Sequence, residues 1–267
     1  MKIAFMFPGK IGDALFASYS IRHYKAKYPD AVIDWVYGTP MLDEFVAFLK
    51  TTDLPVDTYI PHRYGYKDDY KEWAVMDWKS IYPGYDLYLN ATLGEAAQRH
   101  LVEWIPSRSK VIELKSDETL PTPPLLVKSP SRGTGTGKIL VHPWIPYPER
   151  HCKWLLYLRP HYGDYEVHSI GLKTEEMVAG TVDARGKSYE EYTDMIRDAR
   201  LVIGVASSWV ALAAAMGTPS LMAHNITHPR QCGVSRFGPY CLDMVKPFIY
   251  DIEKVMNELL SMPTPNH

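Results

Sequence analysis

The amino-acid sequence predicts an α/β protein of two doubly wound, Rossmann-like domains facing each other across a cleft. Three observations carry this expectation. Apolar runs of strand character alternate with segments of helical periodicity, first in residues 1–120 and again in 138–267. Between them, LPTPPLLVKSPSRGTGTG loses all periodicity and has the Pro, Ser and Gly content of a linker, placed at 121–137. The length, 267 residues, fits two domains of ordinary size.

The elements follow in order. KIAFMF (Lys2–Phe7) is a nearly continuous apolar run closed by Pro8-Gly9, as expected of a strand buried on both faces of a parallel sheet. Ala14, Ala17, Ile21, Tyr24 and Tyr28 recur at steps of three and four, which predicts one helix ending at Pro29. AVIDWVYG, VDTYIP and YDLYLNAT read as further strands, with a short helix in MLDEFVAFLK. Past the linker, KILVHP, DYEVHSIGL, GTVDARG, RLVIGVAS and PSLMAHN read as strands. SYEEYTDMIRDA and SWVALAAAMG read as helices, and YDIEKVMNELLSM as a closing helix of the second domain that is free to pack there or back on the first domain. Ligands in such folds bind outside the carboxyl ends of the strands or between domains, which directs attention to the loops there.

Composition excludes several classes. Lys plus Arg is 29 against Asp plus Glu 31, so no global basic field points to nucleic acid, although a local basic face would be averaged away. Three dispersed cysteines, Cys152, Cys232 and Cys241, indicate free thiols in a reducing compartment, and no CxxC pair offers a structural zinc site. MKIAFMFPGK breaks too early for a signal peptide, and no stretch approaches the ~20 apolar residues of a membrane span. A cytoplasmic enzyme or binding protein is expected. GTGTGK (Gly133–Lys138) is not a phosphate-binding P-loop: Arg132 stands at its first glycine, Ile139 follows the lysine, and the segment precedes a strand.

Four stretches carry candidate chemistry. In Gly9-Lys10-Ile11-Gly12-Asp13, glycines permit a sharp turn and close approach by a ligand, and Asp13 begins the helix at the cleft mouth. A plain carboxylate in a helix first turn, favoured by the dipole, explains Asp13 equally well from spacing alone. Gly204-Val205-Ala206-Ser207-Ser208-Trp209 feeds a strand end into an Ala-rich helix, whose free N–H groups and serine hydroxyls suit an anion. HPWIPYPERHCKW ends a strand at His142 and then offers Arg150, His151 and Lys153 on one loop, where basic groups meet phosphate or simply face solvent. PHRYGYKDDYKEWAVMDWKSIYPGYDLY is dense in Tyr and Trp around His62 and Arg63, which suits sugar or base stacking in an acceptor site, or ordinary packing.

Taken together, these segments resemble glycosyltransferase family 9, the heptosyltransferase-like enzymes of two-domain GT-B fold. The resemblance lies in GKIGDALFASYSIRHYKAKYPDAVIDWVYG, KILVHPWIPYPERHCKW and DARGKSYEEYTDMIRDARLVIGVASSWVALAAAMGTPSLMAHN, with HPRQCGVSRFGPY similar to a Pro-Arg…Gly-Pro segment of the family. It covers parts of both domains, roughly half of the chain. The resemblance implies that Asp13 is the catalytic base; Gly9, Lys10 and Gly12, in the same turn, are expected on the acceptor side from their position. The resemblance also implies that Lys153 contacts the donor phosphates, and that Ser207 and Ser208 grip the diphosphate at a helix N-terminus; His142 and Arg150, on the same strand end and loop, are donor-side candidates from their position. Glu175 or Glu176 matches an acid that holds the ribose, and Lys187 and Ser188 lie near the nucleobase edge. The chain departs from the family in one motif: Ala206 and Ala211 stand where the family has an acid and a histidine.

The implied activity is inverting transfer of a sugar from a nucleotide-diphosphate sugar to an acceptor hydroxyl on a glycan, a lipopolysaccharide-like glycolipid or a modified DNA base. No cofactor is expected beyond the donor substrate. No Asp-x-Asp occurs, so no metal-bridged diphosphate is indicated. Two other readings stand beside this one. A non-catalytic nucleotide-sugar-binding protein accounts for the missing acid and histidine. A Rossmann oxidoreductase or epimerase requires GxGxxG after the first strand, and the third glycine is absent.

Overall fold

In a computed structural model of the chain, KIAFMF forms β1 (Lys2–Phe7), and every residue after Lys2 is buried. The structure describes residues 1–7, 11–38, 43–62, 76–93, 99–105, 110–114, 137–144, 151–225 and 233–262. The chain divides into two compact units, Met1–Pro124 and Leu125–His267.

The helix expected between Gly12 and Pro29 is in two pieces, α1 (Ile11–Ala17) and α2 (Tyr19–Lys27). The break is at Ser18, whose hydroxyl donates to the Leu15 carbonyl at 2.6 Å. Such a back-bond competes with the backbone ladder and bends helices. The first unit continues through β2 (Val32–Gly38), α3 (Asp43–Thr51), β3 (Thr58–His62), the single turn α4 (Trp78–Ile81) and β4 (Leu87–Leu93). Two strands outside the sequence expectation, β5 (Arg99–Ile105) and β6 (Lys110–Leu114), extend the sheet with antiparallel pairing. The order is β3-β2-β1-β4-β5-β6, and the first four strands are mutually parallel. Phe5 meets Trp35 edge-on at 5.2 Å. Two aromatics of the Tyr- and Trp-rich stretch, Trp78 and Tyr88, are buried with Ala4, Met6 and Val36, so this part of the stretch is core.

The second unit opens with β7 (Lys138–His142) and a 3-10 turn at Lys153–Tyr157. A hairpin of β8 (His161–Tyr162) and β9 (Tyr165–Ser169) follows, then β10 (Val182–Asp183). Next come α5 (Tyr189–Asp198), β11 (Leu201–Val205), α6 (Ser208–Ala215), β12 (Ser220–His224), β13 (Cys241–Val245) and α7 (Ile249–Ser261). The sheet order is β10-β9-β7-β11-β12-β13, parallel throughout, with β8 antiparallel on β9. A wholly parallel sheet needs apolar cover on its faces, and the runs KILVH, LVIGV and SLMAH are accordingly buried.

The closing helix packs on the core of the second unit. Its stripe Ile252, Met256 and Leu259 is buried there with Ile139, Leu155 and Leu158. Arg200 holds its last turn, donating to the carbonyls of Leu260 at 2.7 Å and Met262 at 2.5 Å, which supplies the partners a helix C-terminus lacks. Among the described residues no helix is long and apolar enough to cross a membrane.

Candidate functional site

β7 lies between β9 and β11, and the chain reverses across the sheet there. It runs outward through β9 and β10, then returns on the other side of β7 as β11. The crevice outside the carboxyl ends at such a reversal is the preferred ligand site of doubly wound sheets. The residues at that end are His142, which closes β7 in register with Gly204, and Ser207-Ser208, which open α6.

His142 is held from the side of β9. Its Nε2 lies 3.0 Å from Glu175 Oε2, and both side chains are buried. The same oxygen accepts the Leu172 amide at 2.8 Å. A carboxylate survives burial only when paired and hydrogen-bonded, and this one is both. Gly171 makes the turn possible. Its φ is +127°, and an added Cβ would collide with the Glu175 carboxylate and sit 2.9 Å from the His142 ring.

The loop from Gly171 to Lys187 is tied down by groups that the sequence reading did not single out. The Tyr192 hydroxyl, on α5, accepts the Gly171 amide at 3.1 Å and donates to the Gly171 carbonyl at 2.6 Å. Arg185 bonds the Glu175 carbonyl, and its Nε lies 2.9 Å from Asp183. The bonds from Arg185 and Lys173 hold the Asp183 carboxyl well below the usual carboxylate range. Trp209, at the start of α6, packs its ring 4.6 Å from Tyr192. One tyrosine thus couples the Glu175 turn to the helix that carries Ser208.

Gly204 brings α6 close to β7. A Cβ on it would lie 2.5 Å from the His142 carbonyl oxygen and 2.9 Å from Val210. Ser207 has the extended backbone of an N-cap (φ −127°, ψ 162°), yet its hydroxyl makes no capping bond. Among the described residues, two buried side-chain atoms at this end, His142 Nδ1 and Ser207 Oγ, have no hydrogen-bond partner. Buried polar atoms are normally bonded, so both are poised to gain a partner.

The remaining expected site residues are placed as follows. Ser188 caps α5: its hydroxyl accepts the Glu191 amide at 3.2 Å while Glu191 accepts the Ser188 amide at 2.8 Å. Lys187 pairs with Glu191 at 3.3 Å. Lys153 is exposed at the head of the 3-10 turn. His62 Nδ1 lies 2.9 Å from the Tyr82 hydroxyl, its ring 5.4 Å from Trp78, and burial lowers its pKa. Gly12 and Asp13 fall in the first turn of α1. The side chain of Asp13 and residues Gly9, Lys10, Arg63 and Arg150 lie outside the described residues.

Beyond the switch point, His224 at the end of β12 is fully buried, 2.8 Å from Asp243 on β13. Asp243 also accepts the amides of Val234 at 3.0 Å and Ser235 at 2.8 Å, fastening the segment that leads into β13.

No protein-family model matches the chain, and no curated protein matches it. Solved structures do. A glycosyl transferase family 9 protein from Veillonella parvula is 13% identical with a TM-score of 0.62, covering 96% of this chain and 89% of that chain. The E. coli heptosyltransferase WaaC with ADP is 13% identical with a TM-score of 0.63, covering 97% of this chain and 100% of that chain. The E. coli ADP-heptose lps heptosyltransferase II is 14% identical with a TM-score of 0.62, covering 97% and 98%. At such identities the likeness establishes architecture: the chain has the GT-B fold of these structures along nearly its whole length.

Proposed function

We propose that the protein transfers a sugar from a nucleotide-diphosphate sugar to an acceptor hydroxyl, with inversion and without a metal ion. The observation that carries this reading is the strand-end site of the second unit. There a buried His142–Glu175 pair and the start of α6 leave two buried polar atoms without partners among the described residues. The fold is shared with a heptosyltransferase whose structure holds ADP.

In this reading the diphosphate sits on the N–H groups at the start of α6 and on the hydroxyls of Ser207 and Ser208, where a helix dipole favours negative charge. Lys153 and Arg150 add cations to the departing phosphates. Glu175 acts through His142, and Lys187 and Ser188 border the base. The first unit supplies the acceptor side, with Gly9, Lys10, Gly12, His62 and Arg63 around the hydroxyl. Asp13 takes the hydroxyl proton as the oxygen bonds to the anomeric carbon. The anomeric carbon–phosphate oxygen bond breaks, and its electron pair leaves with the diphosphate.

An aspartate of ordinary pKa, ~3.9, is a weak base for an alcohol and helps only as the new bond makes that alcohol acidic. A positioned base of this kind contributes ~10²–10⁴ in rate. Orientation and charge stabilisation on the leaving diphosphate supply the rest. The acceptor is a glycan, a lipopolysaccharide-like glycolipid or a modified DNA base.

Thermal-shift measurements with ADP, GDP, UDP and their sugar conjugates test the reading, because a ligand bound only by the folded chain raises its apparent stability. The expected result is a rise with one nucleotide family, accompanied by turnover of its sugar conjugate. No rise with any of them overturns the reading. A rise without transfer or hydrolysis turns the assignment to a nucleotide-sugar-binding protein.

A further inference from the structure

A single hydroxyl closes the long excursion between β9 and α5. Tyr192, on α5, is 2% exposed. Its oxygen lies 2.6 Å from the Gly171 carbonyl and 3.1 Å from the Ala184 carbonyl. It also lies 3.1 Å from the Gly171 amide and 3.4 Å from the Lys187 amide. A tyrosine hydroxyl has one proton to give, so the two carbonyls share it and the two amides donate to the oxygen. Gly171 stands at the start of the excursion and Lys187 at its end, and both ends are pinned on one atom. A phenylalanine would fill the same space. The hydroxyl is accounted for by the buried backbone groups it meets.

What is pinned is the turn that holds the buried acid. The Gly171 backbone lies against both members of the His142–Glu175 pair, close enough that neither tolerates a Cβ there. Glu175 Oε2 already accepts the Leu172 amide, so His142 Nε2, 3.0 Å away, donates to it. Nδ1 is then the nitrogen left for a ligand, without a partner among the described residues. The Tyr192 ring meets Trp209 at 4.6 Å, one residue past Ser208. The imidazole and the start of α6 therefore both take their places from Tyr192.

We propose that Tyr192 is a positioning residue. Its hydroxyl holds the Gly171 turn so that Glu175 keeps the His142 imidazole in one tautomer and one orientation for the ligand. The state of one imidazole nitrogen is set by the hydrogen bond that the other makes. A binding side chain works only when packing and supporting hydrogen bonds lock its rotamer. Tyr192 itself is buried beneath the site and acts through the pair. That the ligand is a nucleotide rests on the transferase reading; the control of His142 by Tyr192 does not.

Two matched substitutions in the full chain test the proposal. Tyr192→Phe removes the hydroxyl and keeps the ring on Trp209. Tyr162→Phe removes a comparably buried hydroxyl, 3.0 Å from Glu253 and 3.2 Å from the Arg159 amide. Tyr162 pairs with Tyr165 at the amino end of β9, away from the strand-end site. Both variants should melt below the parent, so lost stability is common to the two. Nitrogen NMR of labelled histidines without nucleotide reports the imidazole, with the His142 signals assigned through His142→Gln. The parent is expected to show one tautomer with the proton on Nε2. Tyr192→Phe should show a mixture, and Tyr162→Phe the parental pattern. The second readout is calorimetric titration with ADP, GDP and UDP. The nucleotide that the parent binds should bind Tyr192→Phe about tenfold more weakly, the scale of one hydrogen bond, and Tyr162→Phe equally well. Unchanged His142 signals in Tyr192→Phe overturn the proposal. So do signals that Tyr162→Phe disturbs to the same extent, and so does parental nucleotide affinity in Tyr192→Phe. If the parent binds none of the three nucleotides, the transferase reading falls, and the imidazole comparison still decides the role of Tyr192.

Discussion

The His142 imidazole and the Glu175 carboxylate form a buried pair, 3.0 Å apart, at the end of the central strand of the second sheet. Glu175→Ala would leave the ring and the Leu172 amide without their common acceptor. An unsatisfied buried polar group costs about 1–3 kcal/mol. A loss of that size is expected as a lower urea midpoint at unchanged slope. Glu175→Gln, which retains an acceptor oxygen, should recover most of it. If the alanine variant melts like the parent, the pair has no structural weight.

Gly204 is the contact point between β11, β7 and α6. With a methyl group 2.5 Å from the His142 carbonyl oxygen and 2.9 Å from Val210, Gly204→Ala must push the helix or the strand aside. Overpacking of this kind costs about 1–3 kcal/mol. The displaced α6 start should also weaken nucleotide binding, measured by titration with ADP. Full affinity in this variant would show that the helix start is not where the nucleotide sits.

Asp13 separates binding from chemistry. Asp13→Asn is expected to bind donor nucleotide as the parent does, while transfer falls by ~10²–10⁴, the contribution of a positioned base. Single-turnover transfer beside a binding isotherm makes the comparison. Undiminished turnover removes Asp13 from the mechanism.

Asp243 predicts an acid limb in stability. Burial works to raise its pKa, but the bonds from His224, Ser235 and Val234 outweigh it and set the carboxyl below its ordinary value. A depressed carboxyl stabilises the fold above its unfolded pKa, near ~3.9. That stabilisation is lost as pH falls from there through the lower folded value. Asp243→Asn should lower Tm at pH 7 and flatten the decline between pH 4 and pH 3. Parallel curves for the two proteins would count against this account.

Burial also pushes the Cys241 thiol up to about 12. Only the thiolate attacks, so Cys241 should resist alkylation at pH 8 in the native protein and react on unfolding, as read by peptide mass mapping.

The inner parallel strands β1, β7 and β11 were legible in the sequence because each is buried past its first residues, which writes a run with no polar interruption before its end: KIAFMF, KILVH, LVIGV. The edge of the second sheet was not. CLDMV interleaves Asp243 with apolar residues and is only partly covered, so it carries no strand signature. RHLVEWI and KVIEL, at the antiparallel end of the first sheet, mix charge into short runs in the same way. Ser18 hid the break in the first helix, because the apolar spacing continues through it. The helix start at Ser207-Ser208 was legible from the strand-to-helix turn. The pairing of Glu175 with His142 was not, since it joins residues 33 apart through a turn whose shape depends on Gly171. Tyr192 was read only as part of a helix, because nothing in its spacing shows that its hydroxyl is spent on a distant loop.

Between β7 and β8 the described connection contains only a five-residue 3-10 turn, and the apolar cover that a crossover helix would give comes from α7. Ile139 therefore meets Leu259 only after some 120 further residues have been made. At ~5–20 residues per second of synthesis, that is roughly ten seconds of waiting on the ribosome. During that interval this flank of the nascent sheet has only the cover of nearer residues such as Leu155 and Leu158, and part of its apolar surface waits on the last helix.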